Sequence, residues 1–225
     1  SVAAVHCTAA DCLTLTRRGV TLRARATDDV RFSGVQREKK VMKIQRLLAP
    51  GPTPVPSEVT LSMSGPMVYH RSPAFKEISL SITEGLKYLF QTTGDVLYLA
   101  CSGTGGMEGA VVNTLARGDQ AIVIRGGKFG ERWGKICAAY GVEAVYYDVE
   151  WGHAADPARV RELLTEHPDA RAVFVQASET STATAHPIEA IAKIVRSKPE
   201  TLFIVDGITG VGVLDLPVDT WGIEF

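Results

Sequence analysis

Leu97-Tyr98-Leu99-Ala100-Cys101-Ser102-Gly103-Thr104-Gly105-Gly106-Met107-Glu108-Gly109 decides how the chain is to be read. An apolar run enters a Ser-Gly-Thr-Gly-Gly turn, and an Ala/Val/Leu-rich helical segment follows. Glycine lets the chain turn sharply and brings backbone N–H groups close to a ligand. The first turn of the following helix adds unpaired donors and the positive end of its dipole. Together these make an anion site, usually for phosphate. An ordinary strand-to-helix turn can carry the same glycines, so the flanking sequence must decide.

Downstream a rhythm sets in. Apolar strand candidates fall at 96–100, 120–124, 143–147, 172–176 and 202–205, with helical candidates between them at 106–116, 130–140, 157–166 and 188–196. Gly118 and Gly141 are stop signals, and Asp156-Pro157 is a start. Strand and helix alternating at this spacing mean βαβ units: an α/β fold with a mainly parallel sheet, flanking helices and right-handed crossovers. Upstream, Ser72-Pro73 opens a helix that carries Phe75, Ile78, Ile82, Leu86, Leu89 and Phe90 on one face and closes at Thr93-Gly94. That face is expected to meet the core.

Four prolines in Ala49-Pro50-Gly51-Pro52-Thr53-Pro54-Val55-Pro56 require an extended segment, either a linker or an arm laid over a site or a neighbouring subunit. Residues 1–41 follow no sustained period. They carry Arg17, Arg18, Arg23, Arg25, Arg31 and Arg37 with Lys39 and Lys40, and are expected to be a dispensable basic leader ahead of a natural start at Met42. The domain reading is then a leader at 1–41, an N-terminal arm at 42–72 and a sheet domain at 73–225.

Charge is balanced across the 225 residues, with 24 Lys and Arg against 25 Asp and Glu, which speaks against nucleic acid or an anionic membrane as partner. No run approaches the roughly 18 apolar residues that span a bilayer, and Val2–Val5 is too short for a signal peptide. Cys7, Cys12, Cys101 and Cys137 match neither a zinc framework nor a disulfide scaffold, so reduced thiols in a cytoplasmic protein are expected. Cys101 and Cys137 fall in expected core elements and read as inert.

Ligands of such a sheet bind beyond the carboxyl ends of its strands. Those positions hold Ser102-Gly103-Thr104, Gly126-Gly127-Lys128-Phe129, Ser178-Glu179-Thr180-Ser181-Thr182 and Asp206-Gly207-Ile208. A phosphate cradle, an aromatic, a hydroxyl cluster and a carboxylate converge on one rim. Asp206 can cap a turn, bind a metal or pair with a protonated ring nitrogen; no second acid or histidine beside it supports a metal. A dinucleotide fingerprint starting at Gly103 would need glycine at 108, where Glu108 stands, and the second strand ends near Arg125 rather than an acid. Arg125 could accept a 2′-phosphate, so an NADP-binding module stays open. His70, His153, His167 and His186 are scattered; His167 and His186 precede prolines and read as solvated loop positions. Ser102 lacks the hydrolase elbow pattern.

Leu47-Leu48 and the proline arm, Ser102-Gly103-Thr104-Gly105-Gly106-Met107-Glu108, Gly127-Lys128-Phe129-Gly130-Glu131-Arg132-Trp133, Glu179-Thr180-Ser181-Thr182 and Val205-Asp206 stand in one order. That order resembles the class V pyridoxal-phosphate aminotransferases, nearest to the alanine/serine–glyoxylate group with the cyanobacterial soluble hydrogenase small subunits. The resemblance runs from Leu47 to about Ile223. It implies the large domain of a fold-type I aminotransferase, pyridoxal 5′-phosphate as cofactor, a homodimer, and amino transfer between a small amino acid and a 2-oxo acid such as glyoxylate. By the same resemblance Ser102, Gly103 and Thr104 bind the cofactor phosphate, and Phe129 stacks on the ring. Thr180 hydrogen-bonds the phenolic oxygen, Asp206 pairs with the ring nitrogen and Ile208 packs on the opposite face.

Two departures stand out. Ala183 replaces a glycine common in relatives, which is tolerable if its φ is negative. Relatives also continue past the position of Ile223 to the Schiff-base lysine and a C-terminal domain. The chain therefore reads as a truncated piece with its catalytic lysine expected beyond Phe225. A non-catalytic, truncated aminotransferase-like subunit is the remaining alternative.

Overall fold

The computed structural model describes residues 47–225; the leader expected at 1–41 lies outside the described residues. Residues 47–71 expose every side chain and include a short helix, α1 (Ser57–Met63). Ser72 then caps α2 (Pro73–Phe90): its Oγ accepts from Phe75 N–H at 3.2 Å, with proline in the first turn. The helix ends at Gln91, one residue ahead of the Thr92-Thr93-Gly94 turn, with φ +53°.

The remaining elements are α3 (Gly103–Thr114), β1 (Gln120–Arg125), α4 (Lys128–Tyr140), β2 (Glu143–Asp148), α5 (Pro157–Glu166), β3 (Ala170–Gln176), β4 (Ser178–Glu179), β5 (Thr184–Ala185), α6 (Ile188–Val195), β6 (Leu202–Asp206) and α7 (Val218–Trp221). Four strands form a fully parallel sheet in the order β2-β1-β3-β6, and β4 and β5 make a separate antiparallel pair. The expected parallel α/β architecture is therefore present. Asp156 opens α5 by accepting from Ala158 N–H at 2.8 Å, and Gly141 closes α4 at φ +75°.

The sheet separates two apolar layers, because successive residues on a strand face opposite sides. Ile122, Ile124, Val173, Val175 and Phe203 pack towards α5 and α6. Ala121, Val123, Ala172, Phe174 and Ile204 pack with Met107, Trp133 and Cys137 from α3 and α4. Burial pushes the Cys137 thiol up to about 11, which leaves it inert as expected.

Three expectations fail. Residues 96–100 form no strand, since nothing among the described residues pairs with them; Leu97 is 84% and Leu99 64% exposed. Burying such a side chain contributes about 1.5–3 kcal/mol, which these residues forgo. Cys101 is consequently exposed rather than in the core. The apolar face of α2 buries no residue, and Ile78, Ile82 and Leu89 each remain exposed. Polar contacts hold the end of α2 instead: Thr92 Oγ1, Thr93 Oγ1 and Thr93 N–H all donate to Asp219 in α7. These bonds keep the Asp219 carboxyl below its usual range. No helix among the described residues is long and apolar enough to cross a membrane.

Candidate functional site

Strand order reverses direction at β1, whose neighbours β2 and β3 lie on opposite sides, and the site is built at the carboxyl ends around this switch. Helix α3 begins earlier than its sequence suggests, at Gly103 rather than Gly106, so Ser102 is its N-cap and Gly103-Thr104 its first turn. The Ser102 carbonyl accepts from Gly105 and Gly106 N–H groups at 2.8 and 3.3 Å. The N–H groups of Gly103 and Thr104 meet no acceptor among the described residues. Ser102 is exposed and its hydroxyl makes no capping bond. The start of α3 thus keeps open donors on its dipole's positive end.

Asp206 ends β6 beside Gln176, its partner in β3. Its carboxylate accepts from Ile208 N–H at 3.0 Å. Burial raises the Asp206 pKa, while the Ile208 N–H, the neighbouring Gln176 amide and, more weakly, Arg132 favour the charged form. Although Gln176 lies close, its buried Nε2 completes no hydrogen bond. A cavity of about 380 Å³ opens here, lined by Gly103, Asp206 and Ile208 with the apolar Met107, Trp133 and Phe90. The indole N–H of Trp133 is also buried without a partner.

Gly103 touches the far side of the site directly. A Cβ on it would come 2.6 Å from Ile208 Cδ1, so a side chain there would push into the cavity wall. Thr104 and Phe129 are joined through Arg132: its guanidinium donates to Thr104 Oγ1 at 2.8 Å and lies 4.8 Å from the Phe129 ring centroid. Thr180 and Thr209 hydroxyls stand 3.1 Å apart. Since Thr209 donates to the Ser178 carbonyl at 3.0 Å, Thr180 is the donor between them. Of the seven residues singled out from sequence, Gly103, Asp206 and Ile208 form one group and Thr104 and Phe129 a second, while the Ser102 side chain joins neither. Thr180 is tied to the first by Thr209, three residues beyond Asp206.

Two side chains escaped the sequence reading. Arg132, three residues after Phe129, brings the site a cation. Glu179 is fully buried and binds the head of α4. Both stood inside recognised motifs, but only their long-range partners reveal their places. His186 also differs from expectation. It is buried, its Nδ1 accepts from Ala155 N–H at 3.0 Å, and burial lowers its pKa below 6.5 against the opposing pull of Glu179.

The class-V aminotransferase family model, "Aminotransferase class-V", matches residues 49–225. The chain is 42% identical over 180 residues to a protein of Synechococcus sp. named "Soluble hydrogenase, small subunit", covering 79% of this chain and 47% of the relative. It is 35% identical over 182 residues to a "Serine--glyoxylate aminotransferase" of Hyphomicrobium methylovorum, covering 79% of this chain and 45% of the relative. Among solved structures, ureidoglycine–glyoxylate aminotransferase from Bacillus subtilis superposes with a TM-score of 0.75 at 31% identity, over 78% of this chain and 45% of that one. The chain spans about half the length of the curated relatives it matches. Its mainly parallel α/β sheet is that of the fold-type I aminotransferases. A family match over most of the chain and a shared fold lead to one assignment: the chain belongs to the class-V aminotransferase family.

Proposed function

We propose that this site takes pyridoxal 5′-phosphate and serves amino transfer from a small amino acid, serine or alanine, to a 2-oxo acid such as glyoxylate. The observation that carries the reading is Asp206 on the wall of the same cavity that the head of α3 enters at Gly103. The residues fit the group. The open N–H donors at Gly103 and Thr104, with the Ser102 hydroxyl, suit a phosphate. Arg132, hydrogen-bonded to Thr104, adds positive charge next to it.

Asp206 has a raised proton affinity because burial disfavours its charge. A protonated ring nitrogen beside it would reverse that, since opposite charges stabilise each other most where water is scarce. Phe129 and Ile208 would hold the two faces of the ring, and Thr180 would turn its hydroxyl from Thr209 to the phenolic oxygen. When bound, the cofactor supplies the electron sink for the substrate's α-carbon. The lysine that moves the α-proton is expected beyond Phe225.

The exposed apolar residues of α2 and of 97–99 suit coverage by further protein, in line with a homodimer. The free thiols at Cys101 and Cys137 suit a cytoplasmic setting. An NADP site is the weaker reading. Arg125, the side chain a 2′-phosphate would need, already donates from Nε and Nη2 to Asp148 at 2.6 and 2.7 Å.

The test is to join the chain at Phe225 to the C-terminal half of the Hyphomicrobium enzyme and assay glycine formation from serine and glyoxylate. Turnover is expected, with Asp206→Asn lowering it about 100-fold. Near-normal turnover by that variant would remove Asp206 from its role.

A further inference from the structure

Glu179 is, among the described residues, the one carboxylate with no exposed surface, at 0%. Burying a carboxylate is costly unless hydrogen bonds replace its water. No lysine or arginine pairs with it among the described residues. Its oxygens instead accept from Gly130 N–H at 2.9 Å, Phe129 N–H at 3.2 Å, Ser181 N–H at 3.2 Å and the Ser181 hydroxyl at 2.6 Å. That hydroxyl in turn accepts from Lys128 N–H at 3.0 Å. Three consecutive N–H groups that α4 cannot satisfy internally are thus taken by two residues about fifty positions later.

The fit leaves no slack. A Cβ on Gly127 would run into the Ser181 hydroxyl and come 2.6 Å from Glu179 Cδ. The negative charge also meets the positive end of the α4 dipole. The head of α4 is therefore neutralised from within, and the head of α3 is left as the one to attract an anion. Between Glu179 and Ser181 sits Thr180, whose side chain reaches Thr209 instead of α4. One short segment thereby fastens the helix that carries Phe129 and Arg132 and presents Thr180 to the opposite side.

We propose that Glu179 is a positioning residue: its buried carboxylate locks the α4 head to the 179–181 segment, so that Phe129 and Thr180 hold a fixed separation across the ligand. Its role rests on the pyridoxal phosphate reading of the site. Glu179 does not reach the ligand itself, because its oxygens are already occupied by main-chain and serine donors.

The test compares wild type, Glu179→Gln and Ser181→Ala in the full chain, with two readouts. The first is amide hydrogen exchange without cofactor. Glu179→Gln is expected to speed exchange at Phe129 and Gly130 about tenfold or more, as loss of a charged cap implies, while Val173 in the central sheet is unchanged. The second is pyridoxal phosphate titration followed by visible circular dichroism, which senses how the ring is held. Glu179→Gln is expected to weaken affinity about tenfold and to change the dichroic band, well below its melting temperature. Ser181→Ala, which removes the hydroxyl's bond to Glu179 and the acceptor of the Lys128 amide but leaves Glu179 bound to Phe129 and Gly130, is expected to free the Lys128 amide and to weaken affinity about threefold. It carries the test if Glu179→Gln fails to fold. Wild-type protection and a wild-type dichroic band in the folded variants would overturn the proposal. If wild type itself fails to bind the cofactor, the reading of the site falls and this role with it, and exchange at Phe129 then reports only whether the lock exists.

Discussion

Asp206 sits where burial disfavours its charge. Burial raises its pKa above the 3.8 of an exposed aspartate, so the unfolded chain releases the proton first as pH rises. The folded state is therefore favoured at low pH by this group and loses that advantage as pH climbs through the raised pKa. In the cofactor-free chain, Asp206→Asn is expected to raise stability at pH 7 relative to wild type, with the gap closing towards pH 4. Urea midpoints across that range measure it, and a less stable variant at pH 7 would refute it. Ala183 poses a different residue-scale problem. Its φ is +56°, not negative, so the exchange of glycine for alanine is a strained one. Ala183→Gly is expected to add about 0.5–1 kcal/mol, read as a higher melting temperature, because relief of strain exceeds glycine's extra chain entropy. A lower melting temperature would show that the turn tolerates alanine without cost.

At the scale of elements, α4 lies directly on β1. A Cβ at Gly130 would come 2.8 Å from the Ile124 carbonyl and 3.0 Å from Arg125 Cα, both main-chain atoms that cannot swing aside. Gly130→Ala is expected to cost about 1–3 kcal/mol and to weaken ligand binding, since the helix that bears Phe129 must move. Chemical denaturation measures the first effect and a cofactor titration the second; an unchanged unfolding midpoint would contradict the close approach. Which elements could be read from sequence follows from where their partners lie. Strands at 120–124, 143–147, 172–176 and 202–205 were legible because each is a short apolar run bounded by local stop signals. Residues 96–100 carry the same signals, but a strand exists only through its neighbour, and none is present among the described residues. The stripe on α2 specifies an apolar face without saying what covers it. The end of β6 at Asp206 was legible because an apolar run closing on a carboxylate is a local feature, whereas the start of α3 at Gly103 was hidden by the glycines that fill its first turn. The burial of His186 and the grip of Glu179 on α4 depend on contacts 31 and about 50 residues apart, and no local pattern encodes them.

For the molecule as a whole, the central claim is that one rim combines a phosphate site at the head of α3 with a ring-nitrogen partner at the end of β6. The two halves of that claim separate in one titration of this chain. Pyridoxal phosphate, pyridoxal without the phosphate, and NADP are each added while visible circular dichroism and the quenching of Trp133, which lines the cavity, are followed. The expected result is saturable one-to-one binding of pyridoxal phosphate, pyridoxal at least about tenfold weaker for want of charge-assisted hydrogen bonds, and no competition from NADP. Equal binding of pyridoxal with and without phosphate, or displacement by NADP at similar concentration, would contradict it.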